Sequence, residues 1–215
     1  VEIQKQWIPR KVFFFVLIRK PQIRSGKNME VRPTILRDLL IIEPTIHEDN
    51  RGFFFESYNQ KEYEKHGIRE NFIQDNHSKS VQNTLRGLHY QVNPGQAKLV
   101  RVIQGHIFDV AVDIRFGSPT FGQWAGIFLS AEDKKQLYIP VGFAHGFYVL
   151  SDFAEFEYKC SAFYSPQDER GILWNDPDLD IDWPATNPIL SDKDKSNPPF
   201  REIEKDFIYE PSTYK

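Results

Sequence analysis

From Leu39 onward the apolar residues fall at every second position, in short runs broken by Gly, Pro, Asn and Asp. A strand with one packed face requires this period-two alternation, and it leaves little room for amphipathic helix. It is clearest in residues 98–115, KLVRVIQGHIFDVAVDIR, where two β-branched runs meet at Gln104-Gly105 and predict a hairpin. In the second arm His106, Phe108, Val110, Val112 and Ile114 share one face, and Ile107, Asp109, Ala111, Asp113 and Arg115 share the other, so one face packs and one carries polar groups. Further strands are expected at residues 51–57, 122–129, 136–139, 147–150 and 155–160. Only residues 60–66 have the formers for a helix, of about two turns. After Tyr164 the chain turns rich in Pro, Asp and Asn and reads as ordered loop with short helical turns. Many short strands at this spacing predict an all-β sandwich, jelly roll or barrel.

The chain has 215 residues, enough for one domain, and its 40% hydrophobic content suffices for a sizeable core. The longest apolar run, Val12 to Ile18, is too short to cross a bilayer, which takes about 20 residues. One cysteine, Cys160, excludes an internal disulfide and a multi-cysteine zinc site, and points to a reducing, cytoplasmic setting. Residues 1–28 carry seven Lys/Arg and one acid, whereas the rest carries 20 bases and 29 acids. This acidic body argues against nucleic acid as a partner, and an anionic small molecule would need a local cluster of bases. The only methionine is Met29. Residues 1–28 are therefore read as an extension, with a strand-prone VFFFVLI window, and residues 29–215 as the single domain. The apolar core of the extension is at the short limit for a signal peptide, and no A-x-A-like site follows it. No internal repeat, GxGxxG or P-loop motif occurs.

Of six histidines, two stand out: His89 in LRGLHYQ, and His145 in IPVGFAHGFYVL, where Pro140, Gly142 and Gly146 predict close turns. A histidine in such apolar surroundings is either a hydrogen-bonded core residue or part of a site. Arg86, His89 and Lys98 lie within thirteen residues. If their segments are adjacent strands, a base and two cations face one pocket, Arg suiting phosphate and Lys an oxyanion. By spacing alone, ordinary surface charge is the favoured explanation of them. A three-histidine metal site would need a His-x-His pair, but the residue two after His89 is Gln91, which leaves a two-His-one-carboxylate site as the metal alternative. Cys160 reads as a buried small side chain, with no base near it in sequence.

Taken together, RGFFFESYN, QDNHSKS, LRGLHYQ, KLVRVIQG, DVAVDIR, SPTFGQW, LYIPVGFAHGF, AEFEYK and ILWNDP followed by SDKD resemble the dTDP-4-dehydrorhamnose 3,5-epimerase family. The similarity runs from about Ile42 to Asp194. It implies a cupin-type jelly-roll barrel with short peripheral helices, working as a homodimer with an exchanged N-terminal strand and without cofactor or metal. The implied substrate is dTDP-4-dehydro-6-deoxy-D-glucose, inverted at carbons 3 and 5. The resemblance assigns catalysis to His89 as base, Asp194 as its orienting carboxylate, Lys98 beside the ketone oxygen and Tyr158 as proton donor. It assigns substrate contacts to Arg51, Glu56, Gln74, Asp75, Asn76, Arg86, Lys98, His145, Glu169 and Lys193, with Arg51 and Arg86 on the diphosphate and Tyr164 or Phe163 near the thymine. Asp109, on the polar face, either supports the site from behind or pairs with a base of the barrel. The alternatives are a mono-epimerase of the same family, a metal-dependent cupin, and a barrel that binds a sugar nucleotide without turnover.

Overall fold

In the computed structural model, residues 28–185 and 187–210 are described. The strands among them are β1 Glu30–Pro33, β2 Leu40–Glu43, β3 His47–Asp49, β4 Gly52–Phe54, β5 Gln74–Val81, β6 Leu85–Gln91, β7 Lys98–Gln104, β8 His106–Asp113, β9 Trp124–Ser130, β10 Gln136–Ile139, β11 Phe143–Val149, β12 Phe153–Cys160 and β13 Glu169–Gly171. Two short helices, α1 Gln60–Lys65 and α2 Asp192–Lys195, and a 3-10 turn at Phe200–Glu202 complete them. One antiparallel sheet has the order β1-β2-β10-β7-β12-β5, a second β13-β6-β11-β8-β9, and β3 and β4 form a separate hairpin. From β5 to β8 every step along the chain changes sheet, which makes the two sheets a jelly roll of the cupin type.

Residues 98–115 do not form a hairpin. β7 pairs with β10 and β12 in the six-stranded sheet, while β8 pairs with β11 and β9 in the other. Only Gly105 separates β7 from β8, fewer than the two residues of the commonest hairpin loops. At φ +81° it turns the chain from one sheet into the other, and a Cβ there would lie 2.3 Å from the Phe153 carbonyl oxygen. A hairpin and a crossover leave the same alternation in the sequence, so periodicity could not distinguish them.

Nor does β8 have one packed and one open face, because beyond His106 it is buried throughout. Its Ile107 and Ala111 face the space between the sheets, with Val100, Val102, Phe147 and Phe156. Its Phe108, Val110 and Val112 pack outward under Leu179, Trp183 and Phe200 of the C-terminal segment. The six-stranded sheet is covered likewise, with Ile42, Leu99 and Tyr138 under Tyr63 and Ile68. Each fully buried Leu, Val or Phe contributes about 1.5–3 kcal/mol, so these outer layers hold the fold as firmly as the interior does.

The expected strand at 136–139 is β10, and the helix expected at 60–66 is α1. Those at 122–129, 147–150 and 155–160 correspond to β9, β11 and β12 with shifted ends. The one at 51–57 shrinks to β4, half of the small hairpin. The segment after Tyr164 has the short turns expected, and also contributes β13. Buried Asp176 orders it, accepting backbone N–H bonds from Leu179 at 3.0 Å and Phe200 at 2.8 Å. The reading of residues 1–28 as an extension falls almost wholly outside the described residues. No helix among the described residues is long and apolar enough to cross a membrane.

Gly105→Ala combines an unfavourable φ with a clash against fixed backbone. It should destabilise the protein by about 1–3 kcal/mol, read as a lower urea midpoint; an unchanged midpoint would contradict the account of the crossover.

Candidate active site

The pleat puts alternate residues of both sheets into the space between them. On the five-stranded sheet the register aligns Gly171, His89, His145, Ala111 and Ala125 in one row across all five strands. The histidines thus have only small side chains beside them, which keeps room above the rings. β6 and β11 also approach closely there, since a Cβ on Gly87 would lie 2.5 Å from Gly146 Cα. Gly146 therefore serves close strand packing and not the turn expected of it, whereas Gly142, at φ +87°, does lie in a turn.

Facing this row, the six-stranded sheet presents Lys98 opposite Cys160, Tyr158 opposite both Val100 and Asn76, and Gln74 opposite Cys160. The segments carrying His89 and Lys98 are therefore not adjacent strands but opposite walls. The ring of Phe156 bridges them, 6.1 Å from the His145 ring and 5.8 Å from the Tyr158 ring. Arg86 reaches across as well, its Nε donating to Ser80 Oγ at 3.0 Å.

Each histidine has its own carboxylate. His89 Nε2 lies 2.5 Å from Asp194 Oδ1. His145 Nε2 lies 2.9 Å from Asp109 Oδ2. A carboxylate on Nε2 fixes the tautomer that carries its proton there, leaving Nδ1 as the acceptor. The two pairs differ in access: the His89 side chain is 28% exposed and that of His145 8%. Only His89 is open enough to meet a substrate carbon as a base. Among the described residues no three His, Cys, Asp or Glu side chains gather at metal-binding geometry.

Asp194 is delivered by α2, where Ser191 Oγ caps the helix by accepting the Asp194 N–H at 3.1 Å. Burial pushes the Asp194 carboxyl up, but His89, Ser191 and the Gly87 N–H outweigh it and hold the group below the ordinary carboxylate range. Glu169 is also lowered against its burial, by Lys193 and by the Tyr164 hydroxyl, which donates to it at 2.6 Å. Burial raises Tyr158 and lowers Lys98, with Asp109, Glu169 and Cys160 partly restoring the lysine's charge. Lys98 senses Asp109 and Glu169 while Tyr158 senses Arg86 and Glu169, as expected for groups around one cavity.

A sequence model of the dTDP-4-dehydrorhamnose 3,5-epimerase family matches residues 33–202. The chain belongs to this family. A dTDP-4-dehydrorhamnose 3,5-epimerase from Shigella flexneri is 60% identical, over 77% of this chain and 93% of its own. One from Pseudomonas aeruginosa is 53% identical over 82% and 98%. The crystal structure of dTDP-6-deoxy-D-glucose-3,5-epimerase RmlC from Legionella pneumophila, in complex with dTDP-4-keto-L-rhamnose, superposes with a TM-score of 0.83 at 50% identity, covering 86% of this chain and all of that one. A 3'-monoepimerase from Streptomyces bikiniensis, in complex with dTDP-quinovose, scores 0.74 at 36% identity, covering 79% and 87%.

Of the residues that the epimerase resemblance singled out, the fold turns His89, Lys98, Tyr158, Gln74, Asn76, Arg86, His145 and Glu169 toward the space between the sheets, with Asp194 behind His89 and Lys193 bound to Glu169. Gln74 accepts the Tyr164 N–H at 2.9 Å, and Asn76 Nδ2 donates to Cys160 Sγ at 3.5 Å. Asp75 differs: its side chain is on the outer face, 2.9 Å from Lys159 Nζ, so only its backbone borders the cavity. Arg51 and Glu56 are not brought to this chain's cavity. Arg51 is 85% exposed and bound to Asp49, and Glu56 accepts from Asn59. The nearby Phe55 lies under Arg101, which pairs with Glu157 on the outer face of the six-stranded sheet. Sequence reasoning missed Ser80 as the anchor of Arg86, although Ser80 shares the alternation of Gln74 and Asn76. Asp109 is bound to His145, an arrangement that fits both readings of it.

Because burial favours its neutral form, Lys98 should lose its proton at lower pH than the exposed lysines. Lysine-selective NMR titration measures this; co-titration with the exposed lysines would contradict its enclosure.

Proposed function

We propose that the protein is a dTDP-4-dehydrorhamnose 3,5-epimerase, inverting carbons 3 and 5 of dTDP-4-dehydro-6-deoxy-D-glucose to give dTDP-4-dehydro-L-rhamnose. The observation that carries this reading is that a histidine–carboxylate pair and a tyrosine project from opposite walls of one cavity, with a lysine beside the tyrosine's strand. Inversion at carbon needs a proton removed from one face and returned to the other. Both carbons flank the ketone at carbon 4, so either deprotonation gives an enolate whose charge rests on the same oxygen.

His89 Nδ1 takes the proton, and Asp194, held ionised, stabilises the imidazolium that results. The Lys98 ammonium stabilises the enolate oxygen, which it does best in the partly dehydrated setting that lowers its pKa. Tyr158, kept protonated by burial, returns a proton from the other face. Arg86 and Lys193 are the nearby cations for the diphosphate. The close identity to 3,5-epimerases favours double inversion over the mono-epimerase reading. Lone Cys160, buried and without a disulfide partner, supports a reducing, cytoplasmic setting.

We further infer a homodimer. The β3–β4 hairpin holds Arg51 away from its own cavity and exposes Phe53 and Phe54, at 55% and 68%. A second copy is the receiver that would give Arg51 and Glu56 the substrate contacts implied for them. β1 is outermost in its sheet among the described residues, the position from which a strand would be exchanged.

In heavy water the nucleotide sugar should take up deuterium at both carbons. Uptake at one carbon selects the mono-epimerase, and binding without uptake selects a non-catalytic module. His89→Ala should slow turnover by about 10²–10⁴-fold; a variant at wild-type rate would remove the histidine from the mechanism. If Arg51 acts on the second copy, mixing inactive Arg51→Ala and His89→Ala proteins should regain activity as subunits exchange, whereas no recovery on exchange would place Arg51 in its own site.

A further inference from the structure

The hydrogen bond from His89 to Asp194 depends on where a four-residue helix sits, and α2 is too short to hold itself in place. Its N-terminal end is fixed by the Ser191 cap and by the strand-like contact before it, where the Leu85 N–H donates to the Ile189 carbonyl at 3.0 Å. At its other end lies Asn197, one turn beyond Asp194. A Cβ on Gly171 would meet Asn197 Oδ1, Cγ and Nδ2 at 2.4, 2.5 and 2.5 Å. Three nearly equal distances mean that the carboxamide lies flat on the glycine Cα, filling the space that any side chain at residue 171 would take. Gly171 is the register partner of His89, and directly paired residues point to the same face. The amide thus sits beside the imidazole, on the cavity side of the sheet. The Leu173 N–H, donating to the Pro198 carbonyl at 2.9 Å, ties the same stretch to the end of β13.

Asn197 Nδ2 is buried with no hydrogen-bond partner. A buried amide left unsatisfied is a cost, and residues that carry one are usually kept for a purpose other than local stability. We propose that Asn197 and Gly171 form a positioning pair for the base: the carboxamide, seated in the side-chain space that Gly171 leaves empty, fixes the turn that presents Asp194 to His89. The role assigned to both is positioning, not contact with the reacting carbons. Their effect passes through the orientation of the imidazole, and its catalytic meaning rests on the epimerase reading.

The test is a double-mutant cycle on the full chain with deuterium uptake as the assay, alongside proton NMR of the far-downfield resonance expected of the short His89–Asp194 hydrogen bond. Gly171→Ala should expel the carboxamide and lower kcat by about 10²-fold, and Asn197→Ala by about tenfold, with KM within about twofold in each, since misplacing a catalytic group costs rate more than binding. The Gly171→Ala/Asn197→Ala protein should do no worse than Asn197→Ala alone, because the atoms that the new methyl would strike are gone. The downfield resonance should be lost in Gly171→Ala and return in the double variant. Folded Gly171→Ala with wild-type kcat, or a double variant whose losses multiply, would overturn the proposal. Should Gly171→Ala fail to fold, Asn197→Ala decides alone: wild-type kcat overturns the pairing, and reduced kcat with retained KM supports it. A wild type without deuterium uptake would sink the epimerase reading, while the resonance would still report whether Gly171 and Asn197 hold the pair together.

Discussion

The 2.5 Å hydrogen bond between His89 and Asp194 joins residues 105 positions apart, and much of the molecule serves to make it. His89 is fixed by β6, which is paired on both sides, by β13 and β11. Asp194 comes from a segment with no extended secondary structure, which must be ordered by other means. Buried Asp176, the outward aromatic layer on β8 and the Ser191 cap together press that segment onto the sheet. The carboxylate can then stay charged in a buried place because three donors meet it there.

Two histidine–carboxylate pairs lie side by side on β6 and β11, and their difference is instructive. His145 and Asp109 are both sunk in the wall, so their hydrogen bond serves to hold β11 against β8. His89 keeps one nitrogen toward the cavity while Asp194 is almost wholly covered. The same chemical pair is thus a brace in one position and the proposed base in the next. Solvent access decides which.

The strand content, the helix at α1 and the placing of β10 were readable from alternation and propensity. The switch of sheets at Gly105 was not, because a crossover and a hairpin have the same period. β13 was hidden because the three residues Glu169–Gly171 are too few to show any period. Asp109 could be put on a face but not assigned to interior or solvent, since both faces of β8 are buried. Alternation did contain the distinction between Gln74 and Asn76, which point inward, and Asp75, which points out. The residues of the cavity were named through the family motifs; what motifs cannot convey is which of the named residues, like Arg51 beside the separate β3–β4 hairpin, stay outside it.

The strand order also bears on how the chain reaches this state. The pair β1–β2 is local, but the next neighbour of β2 is β10, with Ile41 facing Leu137. During synthesis that two-stranded ribbon therefore waits, its inner edge unpaired, until β10 has emerged. Topologies dominated by such distant pairings fold slowly and leave edges open to wrong association. Asp194 follows later still in the chain, so the strands that form both walls of the cavity are made before the carboxylate that pairs with His89.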